Sequence, residues 1–320
     1  MRGSPKGEML GRKKALSVAG LILSALTQLA AGADYQRAVM VRFARIYLTP
    51  DTSSAVLGSI DRGRELVILE TTVGWVHATA SLTEEKTVTG WLVDKGVVRA
   101  GAPNGDRVLY GEAVDSEDQA SRPRGRNNAA QDAMHLYHGV AEYFPNSPLA
   151  GEAMYRAADI RWQIEKADIS ARPSAKEKES YLREGMNEDF MREVMKKYPN
   201  TKWADLAAFH LIENKLCGDW QGDPKCPAKE AEIYEKYAKE RPQSPAAGEA
   251  LYDAAWRYAA LIEMYKTDEQ PKKSEEAKTR AVALAQQVAT QFPQSDWGAR
   301  AQRLLYLMQS SIPTYGNEVE

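Results

Sequence analysis

The sequence predicts a multidomain chain, a small all-β barrel followed by an all-α array of helical hairpins. Three observations carry this expectation. Between Ala38 and Arg99 apolar residues alternate or run in β-branched stretches, as strands require. After Asn127 they recur at spacings of three and four, the period of amphipathic helices. In that helical region a single short motif returns four times: "FPNSPLAGEA" from Phe144, "YPNTKWADLA" from Tyr198, "RPQSPAAGEA" from Arg241 and "FPQSDWGARA" from Phe292.

Taken in order, residues 1–33 have the layout of a secretory signal peptide. Arg12, Lys13 and Lys14 form a positive n-region, Ala15–Ala30 an apolar h-region, and Ala31–Ala33 a small-residue cleavage site before Asp34. The h-region is short of the roughly 20 apolar residues that span a bilayer comfortably. The expectation is cleavage near Ala33, a periplasmic or secreted location, and no transmembrane span in the mature chain. A net charge of −2, from 42 basic and 44 acidic residues, supplies no field that would draw in nucleic acid. Both cysteines, Cys217 and Cys226, lie in one polar loop. In an oxidising compartment they are expected to pair; half a zinc site is the rival, at a spacing wider than usual.

Residues 34–101 are expected to form the barrel. "AVMVRFARIYL", "AVLGSI", "ELVILETTVGWVHATA", "TVTGWLV" and "GVVRA" read as five short strands separated by turn chemistry. The carrying residues are Arg45-Ile46-Tyr47, Pro50-Asp51-Thr52-Ser53-Ser54, Val56-Leu57-Gly58, Gly63, Leu66-Val67-Ile68-Leu69, Gly74-Trp75-Val76 and Gly90-Trp91-Leu92-Val93. With these the stretch 38–99 resembles a bacterial Src-homology-3-type domain. The usual Asn-Val-Arg of the first strand is replaced by Ala44-Arg45-Ile46-Tyr47, a departure near the family's ligand surface. The resemblance implies a binding module for peptidoglycan or peptides and no chemistry. Trp75 and Trp91 read first as core rings and second as ligand contacts; Tyr47 reads as the stronger exposed contact.

Residues 102–126 read as a linker or a half-repeat helix, and 127–311 as the helical array. Ala133, Tyr137, Val140 and Phe144 share one helical face, and Ala153, Ala157, Ile160 and Ile164 another. The motif between them has a mechanism. Pro145 ends the first helix by forcing Phe144 out of the α region. Ser147 is expected to cap the second helix, with Pro148 at its first position. The terminal Ala of each copy lets helices approach closely. Pro145, Pro199, Pro242 and Pro293 lie 54, 43 and 51 positions apart, an uneven period longer than the 34 residues of a tetratricopeptide repeat. The hairpins still resemble tetratricopeptide-like repeats of bacterial envelope proteins, across about 127–310.

Local signals account for the extra length. "SAKE" (Ser174–Glu177) reads as a capping box that starts a long helix toward Lys197. Pro227 opens a helix through Lys239, "KTDEQPKKSEE" (Lys266–Glu276) reads as a charged connection, and 312–320 as a disordered tail.

No catalytic constellation is visible: no nucleophile elbow, phosphate loop or dinucleotide fingerprint occurs. His135 and His138 share a helix face with Glu142 one turn on, but lack the two-His-plus-Glu signature, so no metal or other cofactor is expected. Aromatics are better candidates for binding, among them Tyr155 and Trp162 on a second helix. The expected function is a non-enzymatic binding and scaffold protein of the bacterial envelope. Its expected partners are envelope proteins, peptides or peptidoglycan; a cell-wall hydrolase with an unrecognised site is the alternative.

Overall fold

The computed structural model describes residues 35–83, 85–177 and 182–316; the segment read as a signal peptide lies outside them. Among the described residues seven strands form one antiparallel sheet: β1 (Gln36–Met40), β2 (Ala44–Tyr47), β3 (Val56–Ile60), β4 (Glu65–Thr72), β5 (Trp75–Ser81), β6 (Thr87–Val93) and β7 (Val97–Arg99). Their order is β3-β2-β6-β5-β4-β1-β7. Among the described residues no ladder joins β3 to β7, so the expected barrel is an open sheet. Bulges at Ile46/Tyr47 and Ile68/Glu70 curl it around a core of Met40, Ile46, Ile60, Leu66, Val76 and Leu92. Edge strand β7 is three residues long and leads directly toward the first helix, which leaves nothing to pair with β3.

Two of the five predicted strand runs each hold two strands. "ELVILETTVGWVHATA" folds back at Val73-Gly74, where Gly74 takes φ 79 and Val73 is 96% exposed. That dipeptide is a hairpin turn rather than strand interior.

Strand β1 explains its own continuous apolar run. Ala38 and Met40 face the sheet's core, while Val39 and Val41 enter a second core with Leu109, Leu136, Tyr137 and Val140 of the helices. The β3–β4 turn sits against the helices at Gly63, φ 74, where any Cβ would lie 2.6 Å from His135 Cβ. Sheet and array therefore share buried surface.

Nine α-helices follow among the described residues: α1 (Gly105–Ser121), α2 (Ala129–Tyr143), α3 (Ala150–Ser170), α4 (Asp189–Lys197), α5 (Lys202–Glu213), α6 (Lys225–Glu240), α7 (Ala247–Thr267), α8 (Pro271–Gln291) and α9 (Asp296–Gln309). Residues 102–126 are thus mostly helical, and α1 packs on α2. The four motif copies join α2 to α3, α4 to α5, α6 to α7 and α8 to α9.

At each copy the residue before Pro leaves the helix in one conformation: Phe144, Tyr198, Arg241 and Phe292 have φ between −125 and −134 and ψ between 47 and 59. The capping splits into two forms. Thr201 and Ser295 are side-chain N-caps, accepting from Ala204 N and Gly298 N. Ser147 and Ser244, each followed by Pro, accept instead from Leu149 N and Ala246 N, and the regular helix starts later. Their carbonyls accept from Ala150 N and Ala247 N, a tight 3-10-like first turn. Ala153, Ala207, Ala250 and Ala301, the last residues of the four copies, are fully buried.

Three readings of the array change. Ser174–Glu177 forms a 3-10 turn over Pro173–Lys176, and α4 starts only at Asp189. The chain before α4 is held out of helix by side chains: Asn214 bonds both Met186 N and Met186 O, and Glu165 accepts from Asn187 N. Most of Lys266–Glu276 is helical, because Pro271 opens α8 with its preset φ, leaving a three-residue connection at 268–270. Residues 312–316 dock rather than fray: Thr314 Oγ1 donates to Ala259 O at 2.8 Å and Tyr315 packs on Trp220. Positions 317–320 lie outside the described residues.

Candidate ligand-binding face

Strand alternation builds the site. In β5, Val76, Ala78 and Ala80 are fully buried in the sheet's core, which turns Trp75, His77 and Thr79 to the other face. Register then places Trp91 of β6 opposite both His77 and Tyr47, and Val93 opposite Trp75. His77 and Trp91 stack at 4.8 Å between ring centres, nearly parallel. Tyr47 meets Trp75 edge to face at 5.8 Å. The bulge in β4 aligns Glu70 with His77, whose Nδ1 lies 3.3 Å from Glu70 Oε1. Beyond Trp91, the hydroxyls of Thr79 and Thr89 bond each other at 2.9 Å.

This face offers half-exposed indole rings from Trp75 and Trp91, with an imidazole and two hydroxyls alongside. Flat apolar rings beside polar tips suit a sugar ring or an extended peptide. Tyr47 is the correction: at 9% exposure it is a buried support for the two indoles, because its strand pairs with β6 on one side and β3 on the other. His77 shows no companion in the sequence pattern. Glu70 is seven positions away, and only the hairpin and its bulge bring it across.

The two array candidates sit elsewhere, on α3. Tyr155 stacks on Trp203 at 5.6 Å, and its hydroxyl is 3.1 Å from His210 Nε2. The same nitrogen is 3.2 Å from Asp159 Oδ1. Burial raises the Tyr155 pKa and lowers that of His210, the latter against the pull of Asp159 and Glu213. Trp162, 2% exposed, is not available to a ligand; its Nε1 donates to Glu213 Oε2 at 3.0 Å. A large ring between α3 and α5 fills the space their crossing leaves, which is a packing role.

Cys217 and Cys226 are joined, with Cα atoms 6.0 Å apart. Their loop is anchored by a buried ion pair. Glu230 Oε1 accepts from Cys217 N and from Trp220 Nε1, while its Oε2 accepts from Arg257 Nε at 2.7 Å. Arg257 in turn lies over the Tyr234 ring. Glu142, expected one turn from His135 and His138, pairs with Arg37 instead. Among the described residues no group of three His, Cys, Asp or Glu side chains is placed to hold a metal ion. No helix among them is long and apolar enough to cross a membrane.

No family model matches the chain, and no curated protein does. Solved structures similar to it include the DHF58 filament, with 18% identity over 64% of this chain and 91% of that one, at a TM-score of 0.22. Another is the de novo designed helical repeat protein DHR64, with 19% identity, 65% and 94% coverage and a TM-score of 0.21. Scores this low assign neither fold nor function.

Proposed function

We propose that the chain is an exported, non-enzymatic binding and scaffold protein of the bacterial cell envelope, and that the outer face of its sheet holds peptidoglycan. The observation that carries this is the Trp75–His77–Trp91 face: two half-exposed indoles kept on the surface by register, beside hydroxyls that can bond a saccharide. The resemblance of residues 38–99 to bacterial Src-homology-3-type domains supports the same reading. So does the resemblance of 127–310 to envelope tetratricopeptide-like arrays, which present surface for protein partners. The Cys217–Cys226 pair fits an oxidising compartment.

Cosedimentation with purified sacculi tests the proposal. The protein should pellet with sacculi, and Trp91→Ala should weaken retention about tenfold, as loss of a central aromatic contact does. Equal retention of the variant, with an unchanged melting curve, removes the sheet face from the proposal. An envelope crosslinking experiment then reports the array's partner.

A further inference from the structure

Helix α2 is flanked by two clefts that share His135 and His138 as a common wall. Each encloses about 290 Å³. Their chemistries differ. The cleft toward α3 and α4 has an apolar floor of Met134, Met154, Ala157 and Phe190. The cleft toward the sheet is polar, with Arg64 and the side chains of Ser81, Thr83 and Tyr143. Clefts at the junction of two structural units are common ligand sites.

Charge pairing around this ridge is nearly complete, and the exception matters. Arg37 holds both Glu65 and Glu142. Glu193 is held by Lys197 at 2.8 Å, and Arg161 by Glu165 at 3.0 Å with its plane over Phe190. The Arg64 guanidinium has no ion pair or hydrogen bond among the described residues, although the residue is only half-exposed. It lies close enough to His135 to help depress that imidazole, with burial the larger cause. Among the described residues the ridge thus carries one uncompensated cation on its polar side and an apolar chamber on the other.

We infer that this double cleft binds the carboxyl end of a short peptide, with an apolar side chain among Met134, Met154 and Phe190 and the terminal carboxylate at Arg64. A carboxylate is the group a half-buried guanidinium recognises best. The apolar chamber, about 290 Å³, accommodates an apolar side chain, and the hydroxyls of Ser81 and Thr83 beside Arg64 can bond a peptide backbone. The site is separate from the Trp75–Trp91 face and stands or falls independently of it.

Fluorescence anisotropy of the full chain tests this with a dye-labelled hexapeptide ending in Ala-Phe-Ala and with its C-terminal amide. The acid should bind at least about tenfold more tightly than the amide, the size of a lost charge-assisted hydrogen bond. Arg64→Gln, which breaks no ion pair among the described residues, should bring the acid down to the amide's affinity. Met134→Gln should weaken acid and amide alike, and Trp91→Ala should change neither. Equal affinities for acid and amide, an acid preference that survives Arg64→Gln, or binding of dodecanoate but of neither peptide would each overturn the proposal.

Discussion

The joints between successive hairpins are of two kinds. Between the first and second hairpins, Tyr198 and Trp203 press on Gly151, each about 3 Å from where a Cβ would stand. The third and fourth repeat this arrangement with Phe292 on Gly248, and a Tyr252–Trp297 contact stands where Tyr155–Trp203 does. Between the second and third, the glycine's position is Asp205 and the aromatic's is Arg241. Arg241 Nε lies 3.4 Å from Asp205 Oδ1 without an aligned hydrogen bond. This middle joint, between α5 and α6, is also the thinnest. A ring on glycine stabilises by burial, whereas a half-exposed ion pair contributes little. The array is therefore two tight double-hairpin blocks joined by a thinner seam, where Phe209 packs on Tyr234 and Tyr237, and the disulfide loop lies at that seam.

The contrast can be broken most forcefully at the loop's anchor. Glu230→Gln leaves buried Arg257 with only the more distant Asp253 carboxylate and strips the charged acceptor from Cys217 N and Trp220 Nε1, so it should cost about 3 kcal/mol in urea unfolding. A loss below about 1 kcal/mol would mean the anchor is dispensable. Reducing Cys217–Cys226 should cost about 2.5–3 kcal/mol in the chain-entropy picture, read as a fall in the melting midpoint with dithiothreitol. Within a tight joint, Gly248→Val forces its side chain into Phe292 and should cost about 1–3 kcal/mol. At the seam, Asp205→Ala should cost only about 0.2–1 kcal/mol. If the last two come out equal, the two kinds of joint are not energetically different.

A pH-dependent effect separates the sheet–array contact from both. Burial, with Arg64, His138 and Arg161 nearby, holds His135 down from the usual 6.5 to about 4. The unfolded chain then takes up a proton that the folded chain refuses. Stability should fall as pH drops from about 6.5 toward 4 and be unaffected by this group above that window. His135→Gln should flatten that stretch of the profile; an unchanged profile would place the titration elsewhere.

What is legible in the sequence follows from how local each cause is. The four hairpin turns are readable because Pro before a cap acts within four residues. The split between direct caps at Thr201 and Ser295 and delayed ones at Ser147 and Ser244 follows from the next residue, yet it shows only in the folded chain. Sheet closure is not readable, since it depends on which strands meet across the fold. The Gly74 turn is hidden inside a β-branched run. For the site, Trp75 and Trp91 read first as core rings, yet period two turns them outward once Val76 and Leu92 fill the core, while the burial of Tyr47 and Trp162 depends on packing partners distant in sequence. That Arg64 has no partner among the described residues is a property of the whole neighbourhood.

The Cys217–Cys226 bond has a mechanical consequence for a chain pulled from its ends. The thin seam between α5 and α6 is where such an array would separate first. The nine Cα steps from Cys217 to Cys226 would then extend to about 30 Å, a slack of about 24 Å. With the sulfurs joined, that length is locked at a Cα separation of 6.0 Å, so load passes from one block to the other through the bond itself. The molecule is jointed in the middle and tethered short at the same place.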